Sequence, residues 1–131
     1  MKLGTLIVRI TLGIIFFMHG LVKMQGGVEN TAGWFDSIGL PGGLAYVVTF
    51  IELIGGALLI IGFGTRVVSA LLASIMIGAI LTVKLPAGLL GNEQMGGYEL
   101  DLALLAMALH LLLAGSEWLS VDKWIKEKRE N

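Results

Sequence analysis

Four apolar runs, each close to the length needed to cross a bilayer, constrain this chain more than any other feature. They cover about residues 4–22, 44–63, 67–84 and 98–114 of a 131-residue sequence. A hydrocarbon core about 30 Å thick takes roughly 20 apolar residues as a helix. Backbone groups in lipid must be satisfied internally, which leaves helices or a closed barrel. The runs are continuous rather than alternating, so they predict helices. Composition agrees: 56% of residues are hydrophobic and 15% charged, against about 45–50% and 25% in soluble domains. A soluble fold of this length could not bury so much apolar surface. The expectation is an all-α integral membrane protein, a single domain with four transmembrane helices.

The connections are unequal. Gly64-Thr65-Arg66 reads as a tight turn, while residues 24–43 and 84–97 are longer. The first of these holds Trp34, Phe35, Ile38 and Leu40 among polar residues, which predicts a short interfacial or re-entrant helix ending near Gly39, before Pro41. The second is rich in glycine. The tail, 116–131, predicts a short cytoplasmic helix, with Trp118 and Trp124 as interface anchors and lysines beyond. Lys2, Arg66, Lys123, Lys126, Lys128 and Arg129 fall on one side and only Lys23 and Lys84 on the other. That asymmetry places both termini in the cytoplasm. Arg9 interrupts the first apolar run and no small-x-small site follows it, so the first helix is expected to be retained rather than cleaved.

Cysteine is absent, which removes disulfides, thiolate metal sites and thiol nucleophiles together. The net charge of −1 gives no reason to expect nucleic acid as a partner. The 19 glycines exceed the usual share of about 7%. In apolar helices small residues allow close backbone approach, so Gly13, Gly20, Gly55, Gly56 and the stripe Ala70, Ser74, Gly78, Thr82 are expected to serve packing. That stripe could pack internally or against a second copy of the chain.

Charged groups at membrane depth need partners or a function. Arg9, Gly13, Phe16, Gly20 and Lys23 share one stripe of the first helix. Counting depth at about 1.5 Å per residue groups Arg9, Glu52 and His110 mid-membrane, with Arg9 and Glu52 as a buried pair. A second group, His19, Lys23, Lys84, Glu99 and Asp101, lies near the outer face. The methionines (Met18, Met24, Met76, Met95 and Met107) read as filler. The separation of His19 and His110 in depth makes shared ligation of a haem awkward. Carboxylates beside Arg, His or Lys could instead hold the polar head of an amphipathic ligand such as a quinone, and relay a proton to it.

The motifs resemble the DoxX/DoxD-like family of small bacterial membrane proteins. They are Arg9-x3-Gly13 leading to His19-Gly20-x2-Lys23; Glu52-x2-Gly55-Gly56-x5-Gly62 followed by Thr65-Arg66; and Gly96-Gly97-Tyr98-Glu99-x-Asp101, with Gly115 and Ser120-x-Asp122. Thr82-Val83-Lys84-Leu85-Pro86 and the Gly-Gly-Tyr-Glu segment are most similar to the CatD-type members, which carry an oxidoreductase name. The resemblance implies a bacterial inner-membrane protein of a redox or oxidative-stress system. The residues expected to bind ligand or relay protons are Arg9, His19, Lys23, Glu52, Glu99, Asp101 and His110, between the first, second and fourth predicted spans. The alternative is a transporter-like or scaffold subunit that recruits a soluble redox enzyme to the bilayer.

Overall fold

A computed structural model describes residues 2–93, 96–116 and 119–130. The elements named among these residues are all helical: α1 (Lys2–Gly26), α2 (Val28–Ser37), α3 (Gly43–Ile61), α4 (Thr65–Ala79), α5 (Glu99–Ala114) and α6 (Val121–Glu130). A π turn, Ile80–Lys84, and a 3₁₀ turn, Leu85–Ala87, extend α4. Among the described residues, three helices are long and apolar enough to cross a membrane: Lys2–Gly26, Gly43–Ile61 and Thr65–Ala87. The fourth apolar run forms α5, whose 16 residues rise about 24 Å, less than a typical hydrocarbon core. Gly115, at φ +68°, ends it. The expected anchor Trp118 and the expected filler Met95 lie outside the described residues.

α1, α3, α4 and α5 close into a ring in which α1 packs mainly on α3 and α4 on α5. Leu12, Phe16, Leu59, Val68, Leu72, Ala73, Met76, Leu104, Ala108 and Leu111 fill its centre. The stripe expected to face inward on α1 does so, since Arg9, Gly13, Phe16 and Gly20 are all buried. Glycine sets the α1–α3 distance. A Cβ on Gly13 would lie 2.8 Å from the Gly56 carbonyl oxygen, one on Gly20 would lie 2.7 Å from the Leu53 nitrogen, and one on Gly56 would lie 2.5 Å from the Phe17 nitrogen. The two backbones therefore touch, as small residues permit in membrane helices.

The same glycines fix the register, and the register overturns the expected Arg9–Glu52 pair. Gly20 stands level with Leu53 and Gly13 with Gly56, so Arg9 falls beside Gly62, where a Cβ would lie 2.9 Å from its Nη1. Gly62 is ten residues, about 15 Å along α3, from Glu52, too far for one arginine side chain. Counting depth from the ends of the apolar runs underestimated this gap.

Arg9 instead organises the end of the bundle that carries both termini. It is 1% exposed. Its Nη1 donates to the Ser116 carbonyl at 3.4 Å and hydroxyl at 3.3 Å, and its Nη2 donates to the Leu119 carbonyl at 2.9 Å. Leu119 has a left-handed backbone, φ +48°, an arrangement that persists when its surroundings hold it. Beyond it, the Asp122 carboxylate accepts from the Gly64 and Thr65 amides at 2.8 and 3.1 Å, and the Asp122 amide donates to the Gly62 carbonyl at 3.0 Å. Gly64 is the N-cap of α4 and has no side chain to cap with, so Asp122 supplies the cap from a distant part of the chain. Asp122→Ala is expected to lower stability by about 1–2 kcal/mol, the upper range of cap deletions. A lowered melting temperature in detergent, with earlier proteolysis of the 119–130 segment, is the check.

Candidate functional site

At the end of the bundle opposite the termini, the packed core gives way to a cavity of about 390 Å³. Each neighbouring element contributes. α1 brings Phe16, His19 and Lys23; α2 brings Thr31, Trp34 and Phe35; α3 brings Leu44, Val48 and Glu52. The last turns of α4 and its π extension bring Gly78, Thr82 and Lys84, and α5 brings Leu100, Asp101 and Leu104. Phe16, Met76 and Leu104, all members of the central core, close its floor.

Two ion pairs face this mostly apolar space. Lys23 Nζ meets Glu52 Oε1, an approach that the Gly20–Leu53 contact makes possible. Lys84 Nζ lies 3.0 Å from Asp101 Oδ2. The contact has ion-pair distance without hydrogen-bond alignment, so Oδ2 retains acceptor capacity. In both pairs the acid is deep and the base reaches toward the mouth: side-chain exposure is 3% for Glu52 against 26% for Lys23, and 9% for Asp101 against 32% for Lys84. A buried carboxylate requires such a partner. Lys84 belongs to the π turn, whose wider winding re-aims side chains relative to an α-helix and recurs at functional sites.

His19 sits at the rim. Its Nδ1 donates to the Ile15 carbonyl at 2.8 Å, which can only accept, so Nδ1 carries a proton. In the neutral ring Nε2 is then left as an acceptor. The ring stands 6.4 Å from that of Phe16.

The structure therefore gathers His19, Lys23, Glu52 and Asp101 around one cavity and leaves three expected site residues elsewhere. Arg9 lies at the terminal end. Glu99 is exposed on α5. His110, also exposed, meets Thr5 Oγ1 at 3.2 Å, and Thr5 is fourteen residues, about 21 Å along α1, from His19. The grouping of Glu52 with Arg9 and His110 at mid-membrane is thus replaced by its pairing with Lys23. Lys84, assigned to the outer group but not to the site, completes the second ion pair. Trp34 and Phe35, expected as interfacial, line the cavity. Thr82 and Gly78, expected in a packing stripe, line it as well. The signal for Lys84 was present in sequence, as the first charge after a long uncharged run. No sequence feature placed α2 over the site.

The arrangement suits a small amphipathic molecule. The walls are mostly apolar, and each ion pair offers an ammonium donor and a carboxylate acceptor. Among the described residues no group of three or more His, Cys, Asp or Glu could hold a metal ion.

The DoxX family model matches residues 4–85. The chain is similar to a Bacillus subtilis (strain 168) protein named "Putative oxidoreductase CatD", with 48% identity over 99% of this chain and 92% of that protein. It is also similar to an uncharacterized membrane protein of Mycobacterium tuberculosis (strain ATCC 25618 / H37Rv), with 30% identity over 92% of this chain and 80% of the relative. No solved structure matches. The match to α1, α3 and α4, together with identity to these relatives over nearly the full length, shows that this chain is a membrane protein of the DoxX family.

Proposed function

We propose that this protein serves a redox system of the bacterial inner membrane by holding the polar head of a quinone-like amphipathic molecule in the cavity. α5 would complete a fourth crossing, and both termini would face the cytoplasm, as the lysine and arginine distribution favours. The head group would lie between Lys23–Glu52 and Lys84–Asp101. There the lysines would donate to its carbonyls, and the carboxylates would supply or accept protons. The observation that carries the reading is the pair of ion pairs set into a mostly apolar cavity. The oxidoreductase name of the Bacillus relative supports the redox setting. The uninterrupted apolar core beneath the cavity supports a dead-end binding site over a solute path across the membrane. The chain has no cysteine, so any thiol exchange in such a system would belong to a partner.

Trp34 lines the cavity and is the natural reporter. With Trp118 and Trp124 replaced by Phe, a decyl-tailed benzoquinone should quench Trp34 fluorescence to saturation. Lys84→Met should weaken that binding by about tenfold, equivalent to 1.4 kcal/mol. Quenching that rises linearly, and equally in the variant, would reflect partition into detergent or lipid and would sink the proposal.

A further inference from the structure

Within the chain, Gly78 has neither a close backbone contact nor a positive φ to require glycine. Gly13, Gly20 and Gly56 are required by backbone contact, and Gly27, Gly39, Gly62, Gly64 and Gly115 by positive φ. Gly78 lies within α4, and a Cβ added there would meet nothing within 4 Å. Glycine inside a helix is less stable than alanine at the same place, so the fold alone gives no reason for it. The open space beside it is the cavity, which Gly78 lines one turn before Thr82 and less than two turns before Lys84. The Gly78 carbonyl is already used, accepting from Thr82 Oγ1 at 2.6 Å. What the residue contributes is therefore the missing side chain.

We propose that Gly78 sets the width of the ligand head group this cavity accepts, a role that rests on the cavity being the quinone-like site. The position is suited to it. The facing wall is fixed: Phe16 and Leu104 belong to the packed core, and Glu52 and Asp101 are held by their lysines. A Cβ at 78 would meet no neighbouring atom within 4 Å, so a side chain there would extend from the α4 wall of the cavity that also carries Thr82 and Lys84. The size limit would thus be set by a backbone surface on α4, independently of the charges that bind the head.

Two probes of equal tail length separate this from a packing role: a decyl benzoquinone and a decyl naphthoquinone, titrated against the purified protein. Wild type should bind both. Gly78→Ala should keep or raise the melting temperature while weakening the naphthoquinone more than the benzoquinone. Gly78→Leu should remain folded and weaken the benzoquinone at least tenfold. Binding to Gly78→Leu within twofold of wild type would overturn the assignment, as would failure of that variant to fold. If wild type binds neither quinone, the redox-ligand reading fails, and the wall itself is then tested in this cysteine-free chain with N-ethylmaleimide. The Gly78→Cys thiol should react at least tenfold faster than the Ala73→Cys thiol, which sits in the core. Equal rates would show that no open space borders residue 78.

Discussion

Gly56→Leu should yield almost no folded protein. A Cβ at this position would lie 2.5 Å from the Phe17 nitrogen, 2.7 Å from the Gly13 carbonyl oxygen and 2.8 Å from the Phe17 Cα. All three are backbone atoms of α1, so no rotamer change can relieve the contact and the helices must separate. α1 against α3 is the most extensive helix pair among the described residues, and its separation would also part Lys23 from Glu52. Ordinary overpacking costs about 1–3 kcal/mol; a clash that opens the main seam should exceed that range. Gly56→Ala already carries the offending Cβ and should be clearly destabilised, with leucine worse. Gly4→Leu supplies the control, because a Cβ there meets nothing within 4 Å on the same helix α1. The yield of monodisperse protein and its melting temperature in detergent should rank Gly4→Leu near wild type, Gly56→Ala lower and Gly56→Leu lowest. A Gly56→Leu protein as stable as the Gly4→Leu control would mean that α1 and α3 do not meet through their backbones.

Local signals in the sequence carried most of the fold. The apolar runs marked the helices, and the stripe of Arg9, Gly13, Phe16 and Gly20 on α1 identified the face that is buried. Pairing between distant residues was harder to read. Depth counted from run ends placed Arg9 near Glu52, but the interlocking of Gly13, Gly20 and Gly56 slides α1 along α3 until Arg9 stands beside Gly62. A stripe of glycines reveals that a contact exists and not which residues it aligns. The C-terminal segment misled for a related reason. Polar Ser116 and Asp122 look like an ordinary aqueous tail, yet they return to Arg9 and to the α3–α4 turn through long-range hydrogen bonds. At the candidate site, Lys23, Glu52 and Asp101 were legible as ionisable groups in apolar runs. Their partners depended on register and on the π turn at Lys84, neither of which leaves a periodic mark. Gly78 shows the same limit from the other side: its spacing from Ser74 and Thr82 matches a packing stripe, and only the open space beside it distinguishes the two roles.

Lys23→Met should destabilise the protein far more than Glu52→Gln, although both remove the same ion pair. The difference lies in where the surviving group stands. After Lys23→Met, Glu52 remains 3% exposed without its ammonium, and breaking a buried pair from one side costs about 3–5 kcal/mol. After Glu52→Gln, the lysine that remains was already 26% exposed at the mouth of the cavity. Its flexible stem can carry the ammonium outward, and the deep position holds a neutral amide. That change should cost about 1 kcal/mol, closer to an exposed pair than to a buried one. Combining the two substitutions removes the stranded charge, so the double variant should recover most of the loss seen in Lys23→Met. The cycle should therefore be strongly non-additive, as for residues in direct contact. Thermal melts of the four proteins in one detergent provide the test. Equal losses from the two single variants, adding in the double, would place the pair in solvent and remove the asymmetry. If the asymmetry holds, the deep carboxylate depends on a partner that can move, and a ligand donor entering the cavity could replace Lys23 at Glu52. Glu52→Gln should then weaken binding of the reduced, quinol form more than its small effect on folding would suggest, because a neutral amide oxygen is a weaker acceptor for the ligand's hydroxyl than a carboxylate.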